Sequence, residues 1–284
     1  MGHREVKLTS MQALKLVKHL TLAAIVVGSL AACGILPEKV DETAGWSTNK
    51  LYSEAKDSFD SGDYTKAAKY YELLEGRDPF GPHAQQAQIN TAYSYYKDNE
   101  PAQALTAIDR FIRLHPDSPS IDYAYYLKGL INFNDDLGLF GRFSGQDLSE
   151  RDPKALRAAY DSFKYLVEHY PSSKYANDAA LRMRYAVNAM AAHEVHAAEY
   201  YYRRGAYLAA VNRAQSALKD YDQAPALEDA LGIMIKSYDK LGMTELRDDA
   251  RRVMEKTYPK SGYLTVGHRT DTSGDKKSWW QLWR

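Results

Sequence analysis

Between residues 48 and 260 the apolar positions recur three and four apart, the spacing of one face of an α-helix. No stretch there keeps the period-two alternation of a half-buried strand. Gly, Asn and Pro interrupt the helical stretches at intervals. Aligned on these interruptions, the chain shows a repeating unit of helix, short turn, helix. The first unit carries Leu51, Ala55, Gly62-Asp63-Tyr64, Ala67, Tyr71, Leu74 and Pro79. The second carries Gln88, Ala92, Tyr95, Asn99, Ala104, Ile108, Phe111 and Pro116. The last carries Leu231, Ile235, Tyr238, Gly242, Arg247, Arg251, Met254 and Pro259. Small residues let the two helices of a unit cross closely. Gly or Asn supplies the positive φ of the turn between them, and Pro ends the second helix.

The frame is that of the tetratricopeptide repeat (TPR), so the fold class is all-α, a TPR-like helical solenoid of about five repeats with a concave face. The repeats cover about 48–80, 85–117, 120–171, 174–222 and 225–260. The third has Gly129 at its small position and an insert of 18 residues between its helices, roughly Asp136–Asp152. The fourth has Asp222 where Pro is expected, and its first helix is predicted as one long element from Lys174 to Arg204. At 1.5 Å per residue such a helix reaches about 46 Å. Residues 33–47 read as a tether and 261–284 as a polar, Trp-rich tail.

Residues 1–32 read as an address. Arg4, Lys7, Lys15 and Lys18 precede an apolar run from Leu20 to Leu30, too short to span a bilayer but suited to a signal peptide. The run ends in Leu30-Ala31-Ala32-Cys33-Gly34, the pattern of a bacterial lipoprotein signal, with Cys33 as the site of lipid attachment. Cys33 is the only cysteine, which excludes an intramolecular disulfide and a cysteine-based zinc site. Met11 is an alternative start. Gly34, rather than Asp, favours export to the outer membrane.

Composition narrows the function. Lys+Arg and Asp+Glu are both 37, and loss of residues 1–32 leaves 33 bases and 36 acids. No basic excess argues for nucleic acid. The acyl anchor supplies membrane affinity, so the folded part needs no membrane surface of its own. The 23 Tyr against 7 Phe point to half-buried surfaces where a ring packs and its hydroxyl stays wet.

Catalytic chemistry is not indicated. His193-Glu194-Val195-His196 has a spacing of three, not the four of a zincin, and reads as a helix-surface pair; an enzyme resting on it stays open as the weaker alternative. The run Leu137–Gly145 lacks the ending of a phosphate loop, and no nucleophile elbow is present. No cofactor and no metal are expected. After Pro259 too few residues remain for the catalytic domain of a lytic transglycosylase.

What the repeats present is a surface. In the TPR frame the second, fifth, ninth and twelfth positions of each first helix face the groove. Repeat one places Asn49, Tyr52, Lys56 and Phe59 there, repeat two Gln86, Ile89, Tyr93 and Tyr96, and repeat three Tyr123, Tyr126, Leu130 and Phe133. Repeats four and five place Ala192, Val195, Glu199, Tyr202 and Asp229, Gly232, Lys236, Asp239. The candidate site is therefore an aromatic band of Tyr52, Phe59, Tyr93, Tyr96, Tyr123, Tyr126 and Phe133. A register error of one position changes the face, so some of these rings are expected between helices.

Several blocks carry no general TPR constraint. They are Pro79-Phe80-Gly81-Pro82 with Gln85-Gln86, Tyr95-Tyr96-Lys97, Ala107–Leu114, Ile121-Asp122-Tyr123, Arg151-Asp152-Pro153, Ala198-Glu199-Tyr200-Tyr201, Arg204-Gly205-Ala206-Tyr207 and Val211-Asn212-Arg213. With the lipoprotein signal, the insert and the long helix, they resemble the BamD (ComL/YfiO) family of outer membrane protein assembly lipoproteins. The resemblance runs over the mature chain to about residue 260 and leaves the Trp-rich tail aside. It implies a non-enzymatic subunit of the β-barrel assembly (Bam) complex, anchored in the outer membrane and facing the periplasm. It further implies binding to BamA and accessory Bam lipoproteins, and reception of unfolded outer membrane β-barrel proteins. The N-terminal half would face substrate and the C-terminal half BamA. Arg204 and Arg213 match basic positions of the family and would pair with an interface carboxylate. By themselves they read as two solvated arginines. Another periplasmic TPR lipoprotein, organising cell-wall or division proteins, is the alternative.

Overall fold

The computed structural model of the protein describes residues 42–133 and 153–265. The signal peptide, Cys33, the insert at 136–152 and the Trp-rich tail fall outside the described residues. Residues 42–46 form a turn in which the Trp46 N–H donates to the Thr43 carbonyl at 2.9 Å.

Among the described residues the fold is helical, with ten α-helices and no strand. They come in five antiparallel pairs. These are α1 (Thr48–Asp60) with α2 (Tyr64–Arg77), α3 (Ala84–Lys97) with α4 (Pro101–Leu114), and α5 (Ile121–Phe133) with α6 (Pro153–His169). Then come α7 (Ala176–Arg203) with α8 (Tyr207–Asp220), α9 (Leu227–Lys240) with α10 (Thr244–Thr257), and a closing 3-10 turn, Gly262–Leu264. Each helix packs mainly on its neighbours in the chain. First helices of successive pairs also touch, α3 on α5, α5 on α7 and α7 on α9, which puts them together on the inner side.

Two turns are repeated along the chain. Within pairs, Gly62, Asn99, Gly205 and Gly242 have φ of 83°, 62°, 75° and 71°, in the left-handed region that glycine and asparagine tolerate. Around each, two backbone bonds close the end of the first helix. At Gly62 they are Gly62 N–H to the Phe59 carbonyl at 3.1 Å and Asp63 N–H to the Ser58 carbonyl at 2.9 Å. The same pair recurs about Asn99, Gly205 and Gly242, and it is the Schellman arrangement that satisfies the last carbonyls of a helix.

Between repeats a second turn recurs. The residue that opens the next helix donates its N–H to the carbonyl three back: Ala84 to Gly81, Ile121 to Ser118, Ala176 to Ser173 and Leu227 to Ala224, and Leu264, which ends the closing 3-10 turn, donates likewise to Ser261, all between 3.0 and 3.2 Å. The residue just before it, which we term the junction residue, is His83, Ser120, Tyr175, Ala226 or Tyr263. Four of the five stand four residues after Pro79, Pro116, Pro171 or Pro259. The fourth junction, with Asp222 in place of Pro, instead puts Gln223 at φ 61°. The junction turn also trims the long helix. Lys174 and Tyr175 belong to it, so α7 runs over 28 residues from Ala176 rather than from Lys174.

Beyond the buried residues of repeat one, such as Leu51, Tyr71 and Leu74, two apolar clusters meet at α5. Ile121, Ala124, Leu127 and Ile131 pack with Ile89, Ile108 and Phe111 of repeat two. Phe133, with the partly buried Tyr126 and Leu130, packs toward Phe163, Leu166 and the alanines of α7. Gly129 is the close crossing that the sequence placed there. A Cβ on it would overlap the fully buried Phe163 ring.

Alanine is the better helix former by about 1 kcal/mol, yet Gly129→Ala is expected to destabilise the protein. Overpacking a close-packed core costs about 1–3 kcal/mol. Urea unfolding followed by circular dichroism measures the sign; a stabilised variant would mean that Phe163 moves aside freely.

Candidate functional site

The inner face of repeats one to three carries a nearly continuous band of rings. Tyr52, Phe59, Tyr93, Tyr96, Tyr123 and Tyr126 are half-buried. Phe59 lies 5.3 Å from Tyr93, centroid to centroid, and Tyr93 lies 6.3 Å from Tyr96. Tyr64 joins them edge-on, 5.9 Å from Phe59 and 6.3 Å from Tyr93. Burial, and next the nearby phenols of Tyr93, Tyr175, Tyr126 and Tyr96, push the Tyr123 hydroxyl above the ordinary tyrosine range.

Phe133 departs from the expected band. It is 5% exposed and sits in the core. Its ring is 6.2 Å from Phe163 and 5.6 Å from Tyr185, with the Arg182 guanidinium 5.5 Å from its centroid. At the end of α5 the inner side is taken by α6 and α7, so the twelfth position points into packed helices rather than into the groove.

Junction residues complete the band, and the sequence reading missed them. The His83 ring stacks on Tyr52 at 4.0 Å and 10°. Tyr175 stacks on Tyr126 at 4.7 Å and 18°, and is 5.3 Å from Tyr123. Tyr263 lies where a Cβ on Gly232 would be, donates its hydroxyl to Asp229 Oδ1 at 2.8 Å, and has Lys236 Nζ 4.8 Å from its ring centroid. Tyr52, Tyr126 and Gly232 all hold the fifth position of the first helix of their repeats. One rule thus covers three junctions: the ring of the junction residue lies on the fifth position of the preceding first helix. The signal was present, as an aromatic four residues after Pro79, Pro171 and Pro259.

At the second junction Ser120 and Ile89 both line a cleft of about 770 Å³ with Tyr123 and Tyr175. Its rim is polar. Ser173 donates to Asp122 Oδ2 at 2.7 Å, and Gln86 and Lys174 stand at the edge.

One carboxylate fixes the third-repeat rings. The Tyr126 hydroxyl donates to Asp178 Oδ2 at 2.7 Å, and Arg182 Nε donates to the same oxygen at 2.6 Å. Burial, reinforced by Asp178, pushes the Tyr126 phenol up to about 12. Burial works to raise the Asp178 pKa, but the Tyr126 and Arg182 hydrogen bonds outweigh it and hold it below its ordinary 3.8.

Arg204 and Arg213 lie about the turn of the fourth repeat. Arg204 caps α7, its guanidinium 5.3 Å from the Tyr200 ring centroid. Arg213 Nη1 donates to Glu194 Oε2 at 3.1 Å, with Glu194 largely covered and Arg213 about half exposed. Its own chain thus supplies Arg213 with a carboxylate, a pairing across α7 and α8 that spacing did not reveal. His193 and His196 lie one turn apart on α7. Among the described residues no three of His, Cys, Asp and Glu are grouped to hold a metal.

A family model described as an outer membrane lipoprotein, YfiO, matches residues 45–253. The outer membrane protein assembly factor BamD of Neisseria meningitidis serogroup A is 46% identical over 258 residues, 90% of this chain and 95% of that protein. BamD of Vibrio cholerae is 34% identical, covering 84% of this chain and 98% of its own length. Among solved structures, the crystal structure of MamA aligns with a TM-score of 0.36 and 16% identity over 75% of this chain and 96% of that one.

The depressed pKa has a signature. A folded pKa below the unfolded one stabilises above the unfolded value and is lost as pH falls through the folded value. The cost of Asp178→Asn, measured by urea unfolding, is therefore expected to be full at neutral pH and to shrink below about pH 4. A cost unchanged on acidification would show that the charge of Asp178 is not what holds Tyr126 and Arg182.

Proposed function

The chain belongs to the YfiO family of outer membrane lipoproteins, and from that membership we propose that it works as an outer membrane protein assembly factor, receiving unfolded β-barrel proteins on its inner face. The observation that carries the reading is the band of half-buried rings over repeats one to three. A barrel strand not yet paired exposes alternating apolar side chains that need shelter. Tyrosine offers a large contact area, few rotamers to freeze and a polar tip. Each aromatic contact adds about 0.5–1.5 kcal/mol beyond burial. A few such contacts give weak, reversible binding, which a hand-off requires. The work is binding and positioning, with no covalent step.

In this reading Cys33 carries the lipid that holds the protein to the outer membrane, and the solenoid faces the periplasm. Repeats four and five dock on BamA, the barrel-forming subunit, and accessory Bam lipoproteins complete the assembly. Arg213 is the charged contact. Because Glu194 already pairs with it at 3.1 Å, a BamA carboxylate would join or displace Glu194 rather than meet a solvated cation.

Two experiments test the two halves. A fluorescent peptide copying the last strand of a barrel protein should bind the mature chain, and Tyr93→Ala with Tyr126→Ala should weaken it about tenfold or more. Equal binding by a variant that keeps its helical circular dichroism removes these rings from the site. For the other half, Arg213→Glu sets two carboxylates side by side and should reduce BamA affinity about tenfold or more. Charge reversal on BamA should restore part of it, and undiminished affinity takes Arg213 out of the interface.

A further inference from the structure

The junction rule predicts what the cleft lacks. At the first, third and fifth junctions the chain lays a ring of its own on the fifth position of the preceding first helix: His83 on Tyr52, Tyr175 on Tyr126, Tyr263 on Gly232. At the fourth, Ala226 is also small and lies against the core of repeats three to five, where Val195 is buried much as Ile89 is buried in that of repeat two. Only the second junction pairs a small polar residue, Ser120, with an apolar one, Ile89, and it is there that the cleft of about 770 Å³ opens.

We propose that this cleft is the anchoring subsite of the groove, and that an aromatic side chain of an incoming extended segment enters it and supplies the ring which Ser120 does not. The proposal rests on the reading that the aromatic band receives an unpaired barrel strand, and names where along the band that strand is registered. The walls suit such a guest. Tyr123 and Tyr175, 5.3 Å apart, present ring surface, and Ile89, 3% exposed, gives an apolar floor. Gln86 and Lys174 at the rim meet the backbone of the segment as it leaves. A guest ring would stand to Ile89 as Tyr175 stands to Tyr126. The rest of the band offers rings already packed on one another, so it gives contact area without fixing a position. A junction that has no ring of its own and borders an open cleft does fix one.

The experiment uses the full mature chain and two fluorescent strand peptides that differ at one position, aromatic or alanine. The wild type should bind the aromatic peptide about tenfold or more tightly, from two or three ring contacts. Ser120→Tyr builds the missing ring into the chain and should abolish this preference, leaving both peptides at the weaker affinity. A preference that survives in Ser120→Tyr, or its absence from a wild type that binds both peptides, overturns the subsite and leaves the band standing. A wild type that binds neither peptide overturns the band itself and the subsite with it. Should Ser120→Tyr not fold, a benzophenone amino acid at the aromatic position of the peptide decides the matter on the wild type. Cross-links to residues 118–123 or 170–175 support the cleft, and cross-links confined elsewhere refute it.

Discussion

Each repeat is set on its predecessor by one short turn. A backbone N–H at the start of a first helix reaches back three residues to a carbonyl, and the residue between them is thereby held over the previous first helix. Repeats of this kind have no core of their own large enough to stand alone; each is stable only against its neighbour. The junction therefore does more than connect. It fixes the distance and rotation between pairs, and through them the spacing of the inner face on which any ligand must lie. Proline four residues upstream stops the preceding helix and limits the backbone before the turn. Where Asp222 replaces it, the chain closes the turn with Gln223 in the left-handed region instead.

Much of this was legible from local signals. The helix pairs, the Gly and Asn turns and the close approach at Gly129 each depend on residues a few positions apart, and their chemistry admits few conformations. The inner-face register was legible for six rings because the turns anchor the helical phase. It failed at Phe133, whose surroundings are set by Phe163, Tyr185 and Arg182, far along the chain. The junction rings escaped notice for a related reason. An aromatic after a proline looks like loop decoration until the ring beneath it is known, and that partner lies one repeat earlier. The pairing of Arg213 with Glu194 likewise crosses from one helix to the next.

The inner face is also polarised in chemistry. Repeats one to three offer phenols and phenyl rings, whereas repeat five offers Asp229, Gly232 and Lys236 and borrows its one ring, Tyr263, from beyond the repeat. A tyrosine-rich surface is adaptable because a phenol accepts apolar and polar neighbours alike. A surface of fixed charges selects a partner by complementarity. The first property suits many unfolded chains of differing sequence, and the second suits one constant subunit.

The helix α5 belongs to both apolar clusters, its one side facing repeat two and its other side facing repeats three to five. Cooperativity in such a solenoid is a matter of nearest neighbours, and the free energy of opening need not be uniform along it. A disturbance at α5 is therefore felt on both of its sides: the rings of the third repeat and the C-terminal pairs lean on the same helix that closes the core of repeat two.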